Sequence, residues 1–229
     1  MRTLLVIVIA ATTLTLACNG NGSPEAGPPL AGNVFRNPGF EDGTDPWFSL
    51  RPPDFTLADD VAYTGDASAH LEMRSAPEDE GTKIIYLVQE VQPDQLPEVL
   101  SGHYRVANWI RGTELQYLQF VVIVFGAANL PGDYSNHQIR YILAGVDEEP
   151  LDIANARFAF VSREDPTLDE WVPFQANVRQ DFEQLWGASP EGFEMVRVLF
   201  EVRYDGKVAG QDTPEADVYY DDLYFGPAQ

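Results

Sequence analysis

The sequence predicts an all-β domain, an antiparallel sandwich, on three observations. From Asn33 onward, short runs rich in Val, Ile, Phe and Tyr alternate with clusters of Gly, Pro and Asp, the spacing of a sandwich or barrel. Several runs alternate apolar and polar residues with a period of two, as half-buried strands do. Hydrophobic residues make up 45% of the chain and aromatics 12%, enough for one substantial core.

Ten strands are expected, over Phe55–Tyr63, Ser68–Arg74, Lys83–Val91, His103–Arg111, Leu115–Phe125, Gln138–Leu143, Arg157–Val161, Val172–Ala176, Met195–Tyr204 and Val218–Phe225. In the ninth, Val196, Val198, Phe200, Val202 and Tyr204 share one side, and Arg197, Glu201 and Arg203 the other. One short helix is expected over Val178–Trp186. Asn177 would cap it, Val178, Phe182 and Leu185 would form its apolar face, and Gly187 would end it. No internal repeat and no second domain boundary are visible.

Ahead of the domain lie two segments of another kind. Residues 1–17 begin Met1-Arg2-Thr3 and run uncharged from Leu4 to Ala17, the pattern of a secretory signal. That run is too short to span a bilayer, which takes about 20 apolar residues. It ends Leu14-Thr15-Leu16-Ala17-Cys18, which resembles the lipobox of bacterial lipoproteins, with Thr15 where leucine is usual. The resemblance implies lipidation of Cys18, the one cysteine of the chain, and a place in the cell envelope. Asn19 follows, which by the sorting rule of two-membrane bacteria leans toward the outer membrane or surface rather than the inner membrane. Residues 18–32 then read as a tether, built from Gly, Pro, Asn and Ser and reaching roughly 45 Å if fully extended. The domain itself is residues 33–229.

With a single cysteine there is no disulfide framework, so packing, and a metal if one is bound, must hold the fold. Lys and Arg number 14 against 36 Asp and Glu, a formal charge of −22. Such a surface repels polyphosphate and argues against a nucleic-acid partner, while it suits divalent cations.

Catalytic signatures are missing from the sequence. His70, His103 and His137 are widely spaced and build no H-E-x-x-H helix, and there is no G-x-S-x-G elbow. Acids are so numerous that no pair of carboxylates stands out as glycosidase machinery. A non-enzymatic role is expected.

Three segments resemble the carbohydrate-binding modules of the galactose-binding-like jelly-roll superfamily, a type often appended to bacterial glycanases. They are Asn37-Pro-Gly-Phe-Glu41-Asp-Gly followed by Trp47, then Tyr63-Thr-Gly65-Asp-Ala-Ser68-Ala-His-Leu71, and finally Val218-Tyr-Tyr-Asp221-Asp222-Leu223. With Trp171 the matches run from Asn37 to Phe225, although residues 115–190 match poorly. The resemblance implies a jelly-roll β-sandwich and a glycan ligand. It also implies a structural calcium ion held by Glu41, Asp221 and main-chain carbonyls near Gly65, a ligand set of hard oxygens.

Arginine positions sharpen the expected glycan site. On the strand of His103–Arg111, Arg105 and Trp109 fall in the polar phase. Arg140 does so on its strand, and Arg197, Glu201 and Arg203 on theirs. If those strands shared a sheet, they would form a basic, aromatic-bearing platform for a polysaccharide, anionic more readily than neutral. A structural or protein-interaction module on the same fold is the alternative, and a glycoside hydrolase or lyase the third reading.

Overall fold

The computed structural model describes residues 24–27 and 29–229. The signal segment, Cys18 and residues 19–23 and 28 of the tether therefore lie outside the described residues. Ten strands and one helix follow in order: β1 (Thr56–Ala58), β2 (Ser68–Arg74), β3 (Gly81–Val91), β4 (Val99–Ile110), β5 (Leu115–Phe125), β6 (Asn136–Ala144), β7 (Ala156–Phe160), β8 (Trp171–Ala176), α1 (Val178–Trp186), β9 (Met195–Lys207) and β10 (Glu215–Gly226).

They build two five-stranded sheets. Sheet I has the order β1-β2-β10-β4-β8, and sheet II the order β3-β9-β5-β6-β7. Without the flanking β1 and β7, each sheet is four strands that pair early with late: β2 with β10 in one, β3 with β9 in the other. That nesting is the jelly roll. All pairings are antiparallel except that of β6 with β7.

The inner faces make one core. Sheet II supplies Leu87, Phe120, Tyr141 and Phe200, and sheet I supplies Leu71, Tyr104, Phe174 and Tyr220. Phe120 stacks on Tyr141 with centroids 4.5 Å apart, and Phe200 lies 5.0 Å from Tyr220 across the gap between the sheets. Gly102 is small for a reason. A Cβ there would come within 2.6 Å of Leu223 and 3.2 Å of Phe174.

The helix spans the residues expected of it. Its buried residues are Val178, Phe182 and Trp186, and Leu185, partly buried, packs against the same core as foreseen. Gly187, at φ 84°, closes the last turn by donating its N–H to Glu183 O, whereas the Asn177 side chain caps nothing. Tyr141 donates its hydroxyl to Asp181 at 3.0 Å and so ties sheet II to the helix.

The opening motif is a folded turn. Asn37 Oδ1 accepts from Asp42 N, its Nδ2 donates to Gly43 O, and Trp47 Nε1 donates to Asn37 O at 2.9 Å. Phe40 and Trp47 are buried beneath it, and Leu223 N donates to Pro38 O, which fastens the turn to β10.

One element departs from its expected phase. The ladder between β4 and β10 carries a bulge, pairing Asp217 with Asn108 and then Val218 with Val106. Alternation along β4 breaks there. Trp109, expected on the outer face, instead lies opposite buried Ala216 and packs against the core.

Candidate functional site

The residues foreseen as a single platform divide between the two sheets. Arg105 faces outward from sheet I, while Arg140 on β6 and Arg197, Glu201 and Arg203 on β9 face outward from sheet II. With Trp109 turned inward, no surface joins all six. Sequence alternation assigns a side to each residue of a strand but cannot say which strands share a sheet.

The outer face of sheet II is nonetheless distinctive. Its cross-strand rows follow from the register: Ile84–Arg203–Tyr117, then Tyr86–Glu201–Gln119–Ile142–Phe160, then Val88–Leu199–Val121–Arg140–Phe158. Although these side chains point away from the core, most are buried. Tyr117 and Gln119 are 0% exposed, Glu201 3% and Arg203 8%. Around them Val146 packs on Tyr117 and Ile142, and the Arg51 guanidinium sits 5.6 Å above the Tyr86 ring.

A polar network runs through this face. Arg203 lies between two carboxylates, with Nη2 2.9 Å from Asp205 Oδ1 and Nη1 3.5 Å from Glu201 Oε2. Tyr117 donates its hydroxyl to Asp205 at 2.8 Å, and Gln119 Nε2 donates to Glu201. Burial disfavours the ionised forms here, yet the facing carboxylates Glu201 and Asp205 hold the Arg203 guanidinium well above its ordinary value. Burial also pushes the Tyr117 hydroxyl far up, so it stays a donor.

Arg140 is provided for differently. Its Nη2 donates to Gln138 Oε1 at 3.1 Å, but Glu201 stands 3.9 Å from Nη1, and Nε and Nη1 have no hydrogen-bond partner. Burial lowers its pKa despite the nearby Glu201. Gln119 Oε1 is likewise buried without a partner. Arg197, by contrast, is spent on Glu90.

Glu41, Gly65 and Asp221 do converge, on the loop 63–67. Asp221, 0% exposed, accepts at Oδ2 from Tyr63 N at 2.8 Å and Thr64 N at 3.0 Å, and at Oδ1 from Asp222 N at 2.7 Å. Glu41 accepts from Asp66 N at both oxygens and from Ala67 N. Its Oε1 would lie 2.2 Å from a Cβ at position 65, so only glycine lets the carboxylate approach the loop. Burial lifts the Asp221 carboxyl to about 7 against the three amides that favour its charge. Among the described residues no three His, Cys, Asp or Glu side chains gather as a metal cluster. The two carboxylates are hard oxygens of the kind calcium takes, and the loop 63–67 meets them with main-chain N–H groups.

No protein-family model matches this chain, and no curated protein does. Solved structures are similar in fold. One is a family 61 carbohydrate-binding module in complex with β-1,4-galactotriose, at 12% identity and TM-score 0.45, covering 84% of this chain and 96% of that one. Another is the C-terminal family 22 carbohydrate-binding module of Clostridium thermocellum Xyn10B, at 12% identity and TM-score 0.43, covering 87% and 96%. A β-1,2-glucanase from Parabacteroides distasonis matches at 16% identity and TM-score 0.40, over 81% of this chain but 22% of the enzyme.

Proposed function

We propose that this chain is a non-catalytic glycan-binding domain of the cell envelope, and that a polysaccharide lies across the outer face of sheet II. The observation that carries the reading is the partly exposed Arg140 guanidinium, whose Nε and Nη1 have no hydrogen-bond partner, paired across the strands with the partly exposed Phe158 ring. An unpaired buried polar group costs about 1–3 kcal/mol. A sugar bound beside Arg140 would accept from its guanidinium and lie against Phe158, while Tyr86 under Arg51 and Phe160 under Arg163 place a ring and a cation together at the edges of the site. Arg140, with Nε and Nη1 unpaired, and Arg51 over Tyr86 put two cations on that face, so a uronate polymer should bind more tightly than a neutral one, and salt should weaken it.

Affinity electrophoresis with xylan, β-1,4-galactan and polygalacturonate tests this on the wild type, Arg140→Gln and Tyr86→Ala. Each substitution should weaken binding at least about tenfold, equivalent to 1.4 kcal/mol. Binding indifferent to both would place the ligand elsewhere. No binding to any polymer would favour a structural or protein-interaction module, and release of reducing ends would make it a hydrolase.

Two further parts of the reading concern stability and address. A calcium ion held by Glu41, Asp221 and the main chain near Gly65 would clamp the opening turn to the last strand. Melting temperature should then rise with calcium and fall with chelator, and a response that survives Glu41→Gln would remove that ligand. Cys18 would carry the lipid. Cys18→Ala should shift the protein from the membrane to the soluble fraction, and unchanged fractionation would end that proposal.

A further inference from the structure

We infer that sheet I carries a second saccharide-binding surface on its outer face, so that one domain holds two glycan chains on opposite sides. The inference rests on the reading of the ligand as a glycan, but on different residues. Register places Trp171, Arg105, Tyr219 and His70 in one row across β8, β4, β10 and β2. All four are half-buried. At about 4.8 Å between strands the row is roughly 14 Å long, the length of a short oligosaccharide.

The row offers flat rings and fixed polar atoms together. His70 stacks on Tyr219 with centroids 4.5 Å apart and planes 8° from parallel. Beside it Tyr63 stacks on His103 at 3.6 Å and meets Trp171 edge-on at 5.9 Å. Arg105 Nη2 reaches Asp169 Oδ1 at 3.2 Å, but its Nε is buried without a partner, as is His103 Nδ1. Asp222 stands 3.7 Å from that Nδ1, beyond hydrogen-bonding range.

Acids outnumber cations on this face, since Arg74 alone faces Glu72, Glu215 and Asp217. Asp217 accepts from His70 Nε2 and Arg74, and Asp169 from Arg105. That acidity disfavours a polyanion, whereas Trp171 and the outer sides of the His70–Tyr219 and Tyr63–His103 stacks suit the C–H faces of neutral pyranoses. No disulfide, metal or catalytic step is needed.

The test is isothermal titration of the intact domain with oligosaccharides prepared from whichever of xylan, β-1,4-galactan or polygalacturonate it binds. Two sites per domain are expected. Trp171→Ala should leave one, Arg140→Gln the other, and the pair together none, with Tyr219→Ser as a second probe of sheet I and circular dichroism as the check on folding. Long polymer should be cross-linked and turn turbid with wild type but not with either single variant. One site, lost with Arg140→Gln and indifferent to Trp171→Ala and Tyr219→Ser, would overturn this inference and leave the sheet II reading standing. No glycan binding at all would overturn both. Capture of poly-lysine that depends on Trp171, with glycan binding unaffected by its loss, would make the face a protein-docking surface instead.

Discussion

Asp217 shows how single residues of this acidic chain are kept ionised. Burial opposes its charge, but hydrogen bonds from Arg74 and His70 outweigh that and hold the carboxyl below the usual carboxylate range. A carboxyl whose folded pKa is depressed contributes stability above its unfolded value, near 3.9, and loses it as pH falls through the folded one. Asp217→Asn should therefore be less stable at pH 7 and show a shallower decline below about pH 4. The cost should be on the order of 1 kcal/mol, discounted because Arg74 is 41% exposed. Urea midpoints at pH 7 and pH 3 measure it, and parallel pH curves for the two proteins would contradict it. At this scale the sequence was partly legible. Alternation put Arg197, Glu201 and Arg203 on the outer side of β9, where they are. It could not show that Glu90 engages Arg197, or that Arg203 is shared by Glu201 and Asp205. Those pairings arise across strands or within a buried face, and they leave Arg140 with unmet donors.

Elements were legible where periodicity runs unbroken and obscure where it breaks. β2 and β5 have the bounds that alternation and turn residues predict, and α1 has the bounds set by its apolar spacing and Gly187. β4 begins at Val99, four residues before its expected start, since Gly102 reads locally as a breaker while packing against Leu223 and Phe174 demands it. The bulge beside Asn108 has no local signature, and it carried Trp109 inward. In the sequence Trp171, Tyr63 and Tyr219 stand in separate family-like motifs, far apart along the chain. Their common face emerges from pairing that no single strand encodes. The loop after β6 provides a test at this scale. Gly145 has φ 102°, and a Cβ there would lie 2.5 Å from Gln116 O, a backbone atom that cannot swing aside. Gly145→Ala should cost about 2–4 kcal/mol from strain and displaced backbone. It should also weaken glycan binding, because Val146 rests on Tyr117 and Ile142 at the rim of the sheet II face. A variant with unchanged urea midpoint and affinity would show that the loop yields easily.

At the scale of the whole molecule, charge of −22 works against compaction. Screening shortens the reach of that repulsion from about 30 Å at 0.01 M salt to about 8 Å at 0.15 M. The melting temperature in sodium chloride should accordingly rise over that range, and calcium should act at far lower concentration than sodium if the Glu41 and Asp221 loop binds it. A flat response to sodium chloride would mean that local pairs such as Arg74–Asp217 and Arg203–Asp205 already dominate.

The turn that opens the domain and the strand that closes it meet. Val34 N donates to Phe225 O, and Tyr224 donates its hydroxyl to Pro227 O beside Gly32. Both ends of the domain therefore lie together where β10 ends. A fluorescent reporter fused after Gln229 would sit beside the segment that leads into the domain, at the end of β10, so a labelled chain should keep whatever its two sheets hold.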